Sequence, residues 1–129
     1  MEQKYIISDL VKYKVGGLEF IAEITNTSKY GYCFKGVSDD ISGTLYKEFI
    51  NDIPLTPEIL EKNGWKKLNT VPINCNILYK SHQGLTIGHN INSKTFIYDF
   101  GVNQQRKIKF IHELQHLLFG LGLNSEMEV

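Results

Sequence analysis

The stretch Gln105-Arg106-Lys107-Ile108-Lys109-Phe110-Ile111-His112-Glu113-Leu114-Gln115-His116-Leu117-Leu118-Phe119-Gly120-Leu121 decides how this chain is read. Ile108, Ile111, Leu114, Leu117, Leu118 and Leu121 recur at helical spacing, which predicts a closing amphipathic helix over residues 105–119. At about 100° per residue the apolar side chains cover an arc of roughly 200°. Lys109, His112, Glu113, His116 and Gly120 fall in the remaining polar strip, the layout of a helix with one flank in water. Gln115 lies inside the apolar arc, and helical spacing gives no reason for it.

The same helix contains His112-Glu113-Leu114-Gln115-His116, which spells H-E-x-x-H. Two histidines four residues apart share a helix face and can ligate one zinc ion, with the glutamate beside the metal-bound water. The metal would lower the water pKa and Glu113 would take the proton as hydroxide attacks a carbonyl. A catalytic zinc also needs a third protein ligand. Glu126 and Glu128 lie in the short tail after the helix, and nothing in the sequence places His82, His89 or Asp99 beside the motif. The helix is therefore read as architecture, with no catalytic residue, no metal ligand and no cofactor assigned. A zinc-dependent hydrolase, with Glu113 as base and His112 and His116 as ligands, is the alternative.

Outward from the helix, residues 74–80, 85–89 and 94–100 read as three strands joined by Ser81-His82-Gln83-Gly84 and Asn90-Ile91-Asn92-Ser93, both rich in turn formers. Before this β-meander, Leu55-Thr56-Pro57-Glu58-Ile59-Leu60-Glu61-Lys62-Asn63-Gly64-Trp65 is punctuated as a short helix. Thr56 suits the N-cap, Pro57 the first turn, Gly64 the left-handed position after the end, and Trp65 a fold back onto the last turn. Residues 9–34 carry apolar side chains at two-residue spacing, broken at Gly16-Gly17 by a hairpin signal, and Ser38-Asp39-Asp40 reads as a polar turn. The expected class is α+β in a single domain, residues 1–129. Its parts are a β-rich N-terminal half forming a small curled sheet or SH3-like barrel, a short capped helix, the meander and the closing helix. Residues 124–129 read as a frayed tail.

Composition narrows the functions. In 129 residues, Lys+Arg and Asp+Glu stand at 14 each, and Arg106 is the one arginine. Net neutrality opposes a generic polyanion binder, and lysine lacks the fork that grips phosphate or guanine in two bonds. Cys33 and Cys75 fall in strand-like runs and read as small buried thiols, not as a disulfide. The start, Met1-Glu2-Gln3-Lys4-Tyr5, lacks a signal-peptide layout, and no apolar run approaches the ~18 residues of a membrane span, so cytoplasmic residence without membrane partners is expected.

Two segments resemble a known family, the short uncharacterised proteins encoded by phages, prophages and other mobile elements of anaerobic gut bacteria. They are Ile53-Pro54-Leu55-Thr56-Pro57-Glu58-Ile59-Leu60 with Gly64-Trp65, and Ile108-Lys109-Phe110-Ile111-His112-Glu113-Leu114-Gln115-His116-Leu117-Leu118-Phe119. The family's closing helix often reads His-Gln-Leu-Gln-Asn, without the glutamate or the second histidine. The shared residues would then be His112, Leu114 and Gln115, which implies a packed helix with internal polar contacts. The resemblance also implies action by binding in the cytoplasm of a bacterial host: counter-defence, by sequestering a nucleotide-like signal or engaging a host protein. For such a ligand Tyr13, Tyr30, Tyr32, Trp65 and Tyr79, with neighbouring lysines, supply stacking and donor groups. A nucleic-acid-binding module is a further alternative, resting on Lys12-Tyr13-Lys14, Trp65-Lys66-Lys67 and Tyr79-Lys80. The broad apolar arc of the last helix suits a homo-oligomer that buries it between subunits.

Overall fold

Val11, Tyr13 and Val15 alternate with more polar neighbours, and the chain makes this run its first strand, β1 (Leu10–Val15). The structure is a computed structural model describing residues 4–37, 41–68, 76–101 and 104–129, with the backbone path alone at 99–101, 104 and 105. Strand β2 (Leu18–Thr27) pairs antiparallel to β1 across Gly16-Gly17, and Gly16 takes the positive φ of 57° that the turn needs. The register sets Val11 opposite Ala22 and Tyr13 opposite Phe20, so one face of the hairpin is apolar. Strand β3 (Gly31–Gly36) pairs with β2 through a register shift between Ile24 and Asn26, and β4 (Ser42–Tyr46) pairs with β3. After a 3-10 turn at Lys47–Phe49, β5 (Ile50–Asn51) returns to the other side of β1. The strand order is β4-β3-β2-β1-β5, one five-stranded antiparallel sheet.

The described residues form two antiparallel five-stranded sheets with a short helix in mid-chain and a helix near the C-terminus, an α+β fold. They group into two compact units: Met1–Ile53 with Phe110–Glu126, and Pro54–Lys109 with Met127–Val129. The first unit's core is Tyr5, Val11, Tyr13, Ala22, Ile24, Tyr32, Phe34 and Leu45. Burial of each of the larger side chains contributes about 1.5–3 kcal/mol. Phe20 stacks on Phe34 with ring centres 5.3 Å apart and meets Tyr13 at 5.5 Å, which joins the three strands side by side.

In the second unit α1 (Pro57–Lys62) has the ends expected of it. Thr56 Oγ1 accepts the Ile59 N–H at 3.3 Å, Pro57 opens the helix, Gly64 has φ 85°, and the Trp65 N–H returns to the Leu60 carbonyl at 3.0 Å. The sheet runs β10-β9-β8-β7-β6, with β6 (Lys66–Lys67), β7 (Asn76–Lys80), β8 (Thr86–Asn90), β9 (Phe96–Gly101) and β10 (Gln104–Ile108). Ser81 and Asn90 hold its turns: Ser81 Oγ accepts the Gln83 and Leu85 N–H groups, and Asn90 Oδ1 those of Asn92 and Ser93. The three expected strands are β7, β8 and β9, extended at both edges by β6 and β10.

The closing helix is shorter than its spacing suggests. It is α2 (Ile111–Gly120), and residues 105–108 are strand, pairing with β9 from Gln105 opposite Asp99 to Ile108 opposite Phe96. Phe110 keeps an extended backbone at φ −123° and ψ 155°, and its N–H is accepted by Glu113 Oε1 at 3.0 Å, so the helix starts after it. Ile108 is buried as a strand residue, and its three-residue distance from Ile111 imitates helical spacing across the boundary. The tail is held, not frayed: the Asn63 side chain bonds both the N–H and the carbonyl of Glu128, at 2.7 and 2.8 Å. Cys33 is an unpaired thiol, while Cys75, the turn at residues 38–40 and the strand start at Asn74 lie outside the described residues. Among the described residues no helix is long and apolar enough to cross a membrane.

Candidate functional site

Within the first unit α2 lies against β1, and the residues on its buried side are not all apolar. His112 is 5% exposed and Gln115 2%, in a row with Ile111, Leu114, Leu117 and Leu118. The expectation of a water-facing strip therefore holds for Lys109 and Gly120, holds only in part for the half-buried Glu113 and His116, and fails for His112, which turns inward. Gln115 now has its reason. Its Oε1 accepts the Leu10 N–H at 2.9 Å, and its Nε2 donates to the carbonyls of Ser8 at 2.8 Å and Ser125 at 3.1 Å. It serves backbone groups at the start of β1 that the sheet leaves unpaired.

The two histidines stand with ring centres 5.5 Å apart, edge to face, and each meets its own aspartate. His116 Nε2 is 2.6 Å from Asp9 Oδ2, and Asp9 is 1% exposed. Asp9 sits at a tight turn preceding β1, where Ser8 takes a positive φ of 78°, and the same Oδ2 accepts the Ile6 N–H at 2.9 Å. Burial pushes the Asp9 carboxyl above its usual value, against the pull of the Ile6 N–H and His116.

Asp52 is the second acidic hub. It accepts the Tyr5 hydroxyl at 2.5 Å and the Lys4 ammonium at 2.9 Å. Burial raises this carboxyl, but those two hydrogen bonds, together with the nearby His112 and the Lys4 charge, outweigh it and leave Asp52 below its usual range. Tyr5 is shifted upward by burial and by the Asp52 carboxylate, so its phenol stays protonated. The Tyr32 hydroxyl accepts the N–H groups of Lys4 and Tyr5, at 3.2 and 3.3 Å. His112 packs edge-on to Tyr5 with centres 5.1 Å apart, and its Nδ1 faces Asp52 Oδ1 at 3.5 Å, too long for a hydrogen bond. Burial holds His112 below its ordinary value of 6.5, the nearby Asp52 acting in the opposite sense.

Glu113, the candidate base, is tied to the Phe110 N–H as a helix cap. Among the described residues no group of three or more His, Cys, Asp or Glu side chains is arranged to hold a metal ion. Of the candidate third ligands, His82 and His89 belong to the second unit, and the Asp99 side chain lies outside the described residues. Asp9, Asp52 and Tyr5 carry no motif. Nothing in the sequence marks them; Gln115, the polar residue inside the apolar arc, marks the backbone on either side of Asp9.

The proposed stacking residues fare differently from the lysines beside them. Tyr13, Tyr32, Trp65 and Tyr79 are buried, and only Tyr30, at 63%, is exposed. Lys14, Lys66, Lys67 and Lys80 are exposed, whereas Lys12 pairs with Glu19 at 3.2 Å. No family model, no curated protein and no solved structure matches this chain.

Proposed function

We propose that this chain acts by binding and not by catalysis, as a phage- or mobile-element-type protein that counters host defence by sequestering a nucleotide-like signal. The observation that carries the non-catalytic half is that Glu113, Gln115 and His116 of the H-E-x-x-H helix are spent inside the chain. Glu113 caps α2, His116 pairs with Asp9, and Gln115 makes three bonds to backbone groups. A metal or a substrate would have to displace Asp9 from His116 and Phe110 from Glu113 before the motif could act. The phage and counter-defence half rests on the resemblance of residues 53–65 and 108–119. The exposed lysines that remain once the aromatics are buried favour an anionic small ligand over a base-stacking one.

The test begins with protein purified without added metal, assayed for zinc by elemental analysis and for hydrolysis of peptide and ester substrates. The expected result is far less than one zinc per chain and no turnover. Stoichiometric zinc, with turnover lost in Glu113→Gln, overturns the proposal. Mass spectrometry of small molecules released by denaturing the protein from its host should show a phosphorylated anion, and a stoichiometric host protein in its place overturns the small-ligand half.

A further inference from the structure

In the second unit Lys66 of β6 and Lys80 of β7 stand directly opposite one another in antiparallel register. Such partners carry Cβ atoms about 4.5–5.5 Å apart, and like charges so placed weaken the strand pair. No carboxylate among the described residues forms an ion pair with either lysine. Both line a cavity of about 220 Å³ whose other walls are Gly64, Leu68, Ser81 and His82.

Each wall has a reason for its place. Gly64 ends α1 with φ 85°, and a Cβ there would stand 3.6 Å from His82 Nδ1, so the imidazole lies across the glycine. The carbonyls closing α1 are already engaged: Ile59, Leu60 and Glu61 accept from Asn63, Trp65 and Gly64. They present little free negative charge to an incoming anion. Ser81, 5% exposed, accepts two backbone N–H groups at its Oγ and donates its own proton to no described residue. Two uncompensated cations and a buried hydroxyl donor converge on one small cavity with an apolar side at Leu68 and Gly64.

We infer that this cavity binds the phosphate of a small phosphorylated molecule, with Lys66 and Lys80 flanking the anion and Ser81 and His82 donating to it. A phosphate monoester carries nearly two negative charges at neutral pH, which matches two facing ammonium groups and relieves their repulsion. The inference rests on the reading of the chain as a binder of a nucleotide-like anion and gives that reading a place. The cavity's size suits a terminal phosphate and part of its sugar, not a polymer backbone.

The test is a chemical-shift titration of the full ¹⁵N-labelled chain with inorganic phosphate, adenosine 5′-monophosphate, adenosine, and a 5′-hydroxyl oligothymidylate. The two phosphates should give saturable shifts at residues 64–68 and 80–82, the monophosphate binding more tightly, and adenosine none. Lys66→Met combined with Lys80→Met should weaken the monophosphate by at least about tenfold, while Lys12→Met in the first unit leaves it unchanged. The double variant should keep or raise the thermal midpoint, since it removes a repulsion, so lost binding is not lost folding. Non-saturating shifts spread over the surface lysines overturn the inference, and so does an oligothymidylate that binds more tightly than the monophosphate. Neither result touches the zinc and turnover assays, which test the non-catalytic reading separately.

Discussion

Replacing Gln115 by leucine keeps the helix apolar and nearly fills the same volume, yet it strands the Leu10 N–H and the Ser8 carbonyl without partners. An unsatisfied buried group costs about 1–3 kcal/mol, so Gln115→Leu should lose roughly 2–4 kcal/mol in urea unfolding. A loss under about 0.5 kcal/mol, the scatter of a neutral surface change, would show that water replaces the amide. His112 makes a prediction about pH. Its folded value is depressed by burial, so its neutral form contributes stability above about pH 6.5 that is lost as pH falls through the folded value. Asp52 and Glu113 oppose that depression, while His116 and Lys4 add to it. Asp9 has the opposite sign: its raised value favours the protonated carboxyl, so its share of stability falls as pH rises through that value. Wild type should therefore lose thermal midpoint between pH 7 and the depressed value of His112, and His112→Phe, which keeps a ring beside Tyr5, should lose less. Parallel curves for the two proteins would assign the acid sensitivity elsewhere.

At the scale of elements, β3 and β4 meet most tightly at Gly31. A Cβ there would lie 1.9 Å from the Leu45 carbonyl oxygen, a backbone atom that cannot swing aside. Gly31→Ala should cost about 3 kcal/mol or more, whereas Gly17→Ala, with nothing within 4 Å of the new methyl, should stay within about 0.5 kcal/mol in the same assay. Equal effects would refute the close approach. The elements legible in the sequence are those whose ends are set locally: the Gly16-Gly17 hairpin, the Thr56 and Gly64 caps of α1, and the turns after Lys80 and Asn90. Those that were not legible depend on distant partners. β4 buries only Leu45 among five residues, and β10 is a strand because β9 runs beside it. In the candidate site, the histidine pair was visible as a motif, but its aspartates were not, because Asp9 and Asp52 arrive from far along the chain. Thr56→Ala should cost about 1 kcal/mol, the usual value of a lost N-cap, and a thermal midpoint equal to wild type would argue against the Thr56–Ile59 bond.

At the scale of the whole molecule, the chain leaves the first unit after Ile53 and re-enters it at Phe110, so residues 54–109 interrupt that unit in sequence. The bonds that fasten α2 span the interruption: Gln115 and Leu10 are 105 residues apart, His116 and Asp9 107. Contacts of such separation form late and open only when the unit as a whole opens. The Leu10 amide should accordingly belong to the slowest class in native-state hydrogen exchange, with the free energy of global unfolding. Exchange at the rate of an exposed hairpin amide would place the helix outside the cooperative unit. Protein synthesis runs from the N-terminus, and this arrangement sets an order on the ribosome. The sheet that follows Asp9 emerges before α2 and must wait, the carboxylate still hydrated and its flank uncovered, while residues 54–109 are translated. Only when residues Ile111–Gly120 have been read can the imidazole and the amide arrive to seal it, and through that interval the nascent chain presents a half-built surface to the cell.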